Sequence, residues 1–152
     1  MAWALTYPAA KAAIIALWDA AVDAPIINGP RVGGGFDMVG VVGYQDENNP
    51  LAVEGEVLRE TFGAASPERD QYAINCMAAI NWGSTSVIPD AEAAVCGLVN
   101  ALGGALAANR TLGVPGVMSA SIGRWQLPEA QGTDGLTVAL KFSVTIDAFT
   151  TV

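Results

Sequence analysis

The sequence predicts an α+β domain, a largely antiparallel sheet with two helices packed on one face. Apolar residues recur at helical spacing near 8–22 and 90–109, and they alternate strictly over 72–81 and 136–149. The resulting order is helix, two short strands, an uncertain stretch, strand, helix, strand, strand, which suits two layers around one core.

The first helix is read from Ile14, Leu17, Trp18 and Val22, with Pro8 suited to a first helical turn and Pro25 ending the pattern. A short extended piece at 26–28 runs into Gly29-Pro30, and the glycine run 33–35 forms a flexible turn before a strand within 36–44. Residues 45–50 are polar and turn-forming. The stretch 53–62 alternates only weakly and reads as either a strand or part of a long polar excursion over about 45–68. Next comes a clear strand, with Tyr72, Ile74, Cys76, Ala78 and Ile80 on one face and Ala73, Asn75, Met77, Ala79 and Asn81 on the other.

Asp90 stands near the start of the second helix, whose stripe is Val95, Leu98, Val99, Leu102 and Leu106. This helix is expected to fray at Gly103-Gly104 and to end near Asn109. Two strands close the chain, at 117–127 and 136–149, joined by a turn loop at 128–135 as an antiparallel hairpin. In the last strand Leu136, Val138, Leu140, Phe142, Val144 and Ile146 form the core face, opposite Thr137, Ala139, Lys141, Ser143, Thr145 and Asp147.

Composition narrows the chemistry. The 152 residues, 52% of them hydrophobic, suffice for one domain with its own core, and no interdomain linker or repeat interrupts them. Fifteen acidic against seven basic residues give a charge of −8 with no basic cluster, which argues against a surface that tracks phosphates. The chain has no histidine, so histidine triads and histidine-zinc sites are excluded. Cys76 and Cys96 lack metal or redox spacing and are read as reduced core thiols. Asn100, Lys11 and Asp19 interrupt the apolar runs, so no membrane span is expected. The N-terminus lacks the basic start of a signal peptide and reads as a mature helix.

No catalytic constellation emerges. The glycine run has no following lysine or helix and so reads as a loop. Asp46, Glu47, Glu54 and Glu56 match no calcium loop and read as a solvated acidic stretch, and no carboxylate pair is singled out for glycoside hydrolysis. The Asn109-Arg110-Thr111 triplet is read as a chance sequon. Trp3, Trp82 and Trp125 are candidate interface anchors, Trp125 first because Arg124 and Gln126 flank it. Neither a cofactor nor a metal is implied. The candidate interface residues are Asp46, Glu47, Glu54, Glu56, Arg59, Glu68, Arg69 and Trp125.

At this point the sequence resembles a known family, the tail terminator or tail completion proteins of long-tailed phages of actinobacteria. The segments that carry the resemblance are Tyr7-Pro8-Ala9-Ala10-Lys11-Ala12-Ala13, Val41-Val42-Gly43, Glu68-Arg69-Asp70-Gln71-Tyr72, Ala91-Glu92-Ala93 and Arg110-Thr111-Leu112-Gly113, followed by the C-terminal hairpin. The resemblance implies a virion protein made in the host cytoplasm. It would form a ring, usually a homo-oligomer of six, on the tail tube protein, stop tube growth and face the head-tail connector protein. The polar stretch 46–66 is longer than the family pattern suggests. A ring of six would carry six times the −8 of one chain, and an acidic lumen would let DNA pass without specific binding. Alternative readings are another neck or tube component, or a small ligand-binding or carbohydrate-active module.

Overall fold

The computed structural model describes residues 3–30, 36–58, 68–82, 88–127 and 136–150, and the structural statements below concern these residues. The glycine run 33–35 and the hairpin loop 128–135 lie outside them.

The elements are α1 (Tyr7–Ala21), β1 (Ile26–Asn28), β2 (Met38–Val42), β3 (Val53–Leu58), β4 (Arg69–Trp82), α2 (Ile88–Ala108), β5 (Val117–Gln126) and β6 (Leu136–Phe149). One sheet runs β1-β2-β4-β6-β5, with β3 also paired to β4. Only β1 and β2 are parallel to one another; every other pair is antiparallel, as the α+β reading requires.

Strand β4 is the spine. Along one edge it pairs with β6 over its full length, from Arg69 opposite Phe149 to Trp82 opposite Leu136. Its other edge is divided, with β3 on residues 69–74 and β2 on residues 76–80. Asn75 is the junction. Its N–H donates to Ala52 O at 2.8 Å, and its carbonyl accepts from the N–H groups of Gly43 and Tyr44 at 2.8 and 2.7 Å. Its side-chain amide donates to Leu51 O at 2.6 Å, which fixes the loop where the chain passes from β2 to β3. Of the two readings left open for 53–62, the strand is the one found over residues 53–58, because β4 supplies the ladder partners that this polar segment could not find alone.

The alternation expected from sequence sets the core. Tyr72, Ile74, Cys76, Ala78 and Ile80 of β4 and Val138, Leu140, Phe142, Val144 and Ile146 of β6 face the helices, where α1 contributes Ala10, Ile14 and Trp18. From α2 come Ala91, Val95, Leu98, Val99, Leu102 and Leu106. Each large apolar side chain fully buried here contributes about 1.5–3 kcal/mol relative to exposure. Trp18 ties the layers together. Its indole N–H donates to Leu98 O of α2 at 3.0 Å, and its ring meets Phe142 of β6 edge-on at 5.5 Å. The opposite face is not wholly wet, since Val39, Val41, Met77 and Ala79 form a small second cluster there.

The expected fraying of α2 is corrected. The helix continues through Gly103 and Gly104 to Ala108, since burying Leu102 and Leu106 offsets the roughly 1 kcal/mol that each glycine costs. The twenty residues Pro89–Ala108 have a mean hydropathy of 1.5, enough by length and composition alone for a membrane span. The core side accounts for a third of it, 33% of the stretch being buried, and exposed Ala93, Ala107 and Ala108 add to the rest, although no such stretch was expected from sequence. Beyond α2, Asn109 turns back on Ala105 O through its side-chain amide at 2.9 Å, and successive turns over 109–117 lead into β5.

Candidate interaction site

The sheet face turned away from the helices carries an open groove of about 580 Å³. Its lining includes Tyr44, Asn49, Glu54, Arg124, Trp125 and Lys141. Strand alternation puts Glu54 on this face, opposite Ala73, and Lys141 opposite Met77. On β5 the register shifts between Ile122 and Trp125, a bulge that brings Arg124 and Trp125 to the groove wall.

Asp46 stands behind the lining, paired with Lys141. Its carboxylate accepts the N–H groups of Asn48 and Asn49 at 2.8 and 2.6 Å and pairs with Lys141, whose ammonium also lies 5.9 Å from the centre of the Tyr44 ring. Burial opposes ionisation of Asp46, but the hydrogen bonds from Lys141, Asn49 and Asn48 and the lysine charge outweigh it. They hold the carboxyl below its ordinary 3.8.

The expected interface residues therefore divide. Asp46 and Glu54 sit at or beside the groove with Trp125, which is 65% exposed. Glu47 lies exposed in the turn that Asp46 caps. Glu56 is exposed on the same face as Glu54, opposite Gln71. Glu68 accepts the Trp3 indole N–H at 3.1 Å at the start of β4, away from the groove. Arg69 pairs with Asp147 across β4 and β6. Arg59 lies outside the described residues. The charges grouped in sequence are thus not one patch: Asp46 and Arg69 are tied to Lys141 and Asp147. Trp82 packs partly buried against the main core, and Trp3 is exposed.

Three residues were missed. Lys141 and Asp147 stand on the wet face of the last strand, where nothing in the sequence names a partner. Asp70, by contrast, has a legible signal: it continues the core parity of Tyr72, Ile74 and Cys76 one step back, so β4 places a carboxylate on the apolar side. Asp70 is only 4% exposed, and burial raises its pKa above the usual 3.8. Beside it, Tyr72 shares a 2.8 Å hydrogen bond with Thr6, and burial pushes its hydroxyl up to about 12.

Among the described residues, no group of three or more acidic or cysteine side chains is placed to hold a metal ion. Both cysteines are free thiols. No protein-family model matches the sequence, nor does any curated protein.

Proposed function

We propose that this chain is a ring-forming structural subunit of a phage tail, a tail terminator that caps the tube and meets the head-tail connector. The family resemblance suggests it, and the observation that carries it is the complementarity of two of the three strands whose outer edges are unpaired among the described residues, β3 and β5, the third being the short β1. Strand β3 pairs only with β4 and β5 only with β6 among the described residues. β3 bears Glu54 and Glu56 and no cation, whereas β5 bears Arg124 and no acid. Exposed Val57 and Leu58 on β3 and Met118 and Trp125 on β5 add apolar surface to each.

The directions are compatible too. β3 runs antiparallel to β4, and β5 runs parallel to β4 through their shared partner β6. A neighbour's β5 laid beside β3 therefore extends the sheet as an antiparallel pair. Two different, complementary edges make a heterologous contact, which closes into a ring when the rotation permits. Unpaired edges are ready templates for strand addition. Mass photometry of the chain, with electron microscopy of tail tubes mixed with it, tests the reading. A closed ring, most simply a hexamer, that stops tube growth supports it, and long tubes built from this chain would make it a tube protein instead.

A second reading has one observation in its favour, the polar groove with its exposed Trp125, which suits a small ligand-binding module. A strict monomer that leaves tube ends unchanged while binding soluble sugars would favour it.

A further inference from the structure

On the helix side of the sheet, a notch of about 210 Å³ opens between the start of α1 and β3. Its walls are Leu5, Tyr7, Val53, Val57 and Tyr72, and Asp70 lies at its floor. Gly55 also lines it and lets Tyr72 pack closely across β3, since a Cβ there would approach the Tyr72 Cβ to 2.6 Å. Asp70 is more than nine-tenths buried, yet it has no hydrogen-bond or ion-pair partner among the described residues. The buried unpaired side-chain atoms lie elsewhere, on Arg69 and Asp147, so the Asp70 carboxylate meets solvent through the notch, where a cation could reach it.

At the far edge of the sheet, Arg110 sits in the turn between α2 and β5, exposed and likewise without a hydrogen-bond or ion-pair partner among the described residues. The two orphans lie at the same end of the sheet. Asp70 stands near the start of β4, opposite Val57 at the end of β3 and Ala148 near the end of β6. Val117, at the start of β5, is also opposite Ala148, and three consecutive turns join Arg110 to it. Both belong to the helix layer: Asp70 has core parity, and Arg110 follows the last turn of α2.

We infer that Arg110 of the neighbouring copy enters this notch and pairs with Asp70. The inference rests on the ring reading and adds the residues that set its register. When the neighbour's β5 lies antiparallel to β3, the start of β5 meets the end of β3, which brings Arg110 to the mouth of the notch. The apolar walls suit the methylene stem of an arginine, and the carboxylate suits its guanidinium, which binds carboxylates in a two-pronged fashion. On the other face the same alignment carries Arg124 toward Glu54.

The test is a double-mutant cycle on the full-length chain with Asp70→Asn, Arg110→Gln and the double variant, each first checked for folding by circular dichroism melts. Association is followed by sedimentation velocity and by decoration of tail tubes. Each single change is expected to weaken association on the order of tenfold or more, with the double variant no weaker than the worse single. In the wild-type chain, carbon NMR should show the Asp70 carboxyl titrating above its ordinary range when monomeric and lower once assembled. Rings that form with additive or negligible effects of the two changes would overturn the pairing while leaving the ring reading intact. A wild-type chain that stays monomeric even on tubes would overturn both.

Discussion

Gly40 of β2 lies directly against the indole of Trp18: a Cβ at this position would come within 2.6 Å of the ring. The absence of a side chain on the strand lets the helix carrying Trp18 settle onto the sheet. That close approach brings the indole N–H to Leu98 O and the ring edge to Phe142. Gly40→Ala is therefore expected to destabilise the fold by roughly 1–3 kcal/mol through overpacking. Urea unfolding followed by tryptophan fluorescence measures it, and an unchanged midpoint would show that α1 can lift without loss.

The last strand offers a test of face assignment. Val138 and Phe142 are buried, and Thr145 is exposed on the opposite face. An isolated buried carboxylate costs several kcal/mol, comparable with the roughly 5–15 kcal/mol stability of a whole domain. Val138→Asp and Phe142→Asp are expected to abolish folding, while Thr145→Asp keeps the parent's circular dichroism spectrum and melts within a few degrees of it.

Asp46 and Lys141 give a pH signature. Because the folded carboxyl titrates below 3.8, the pair's stabilisation is fully present above that value and is lost as pH falls through the lower folded pKa. Asp46→Asn is expected to cost about 1 kcal/mol near neutrality and nothing once both proteins are acidified past that point. Chemical denaturation at a series of pH values measures the difference.

The two thiols should differ sharply in reactivity. Cys76 is buried in the main core, and burial pushes its thiol up to about 12, whereas Cys96 is only half-buried. Because the thiolate is the reactive form, a disulfide reagent at pH 8 is expected to modify one thiol per native chain and the second only in denaturant. In a Cys96→Ser variant the native reaction should disappear.

Much of the fold was legible because the two long strands keep strict period two and both helices keep their stripes. β3 was hard to read because its core-facing positions are Val53, Gly55 and Val57, with glycine where alternation would place a large residue. Tyr72 of the neighbouring strand fills that space instead. The site was less legible still. Asp46 and Lys141 are 95 residues apart, and Arg69 and Asp147 are 78 apart, so their pairing depends on strand order, which periodicity does not reveal. Asp70 was legible in principle, but the alternation was followed only from Tyr72 onward, whereas β4 begins at Arg69.

The divided edge of β4 has a dynamic consequence. The loop pinned at Asn75 lets β2 and β3 hold to the same strand independently, and their surroundings differ: four residues of β2 are buried, while all but one of β3 are exposed. β3 can therefore detach in a local opening that leaves the helices, β2 and the β4–β6 ladder in place, because few buried contacts hold it. Amide hydrogens of residues 53–58 should exchange orders of magnitude faster than those facing β6. The sheet thus has a hinged margin and a rigid centre, and any partner strand that settles on the margin slows its opening by mass action.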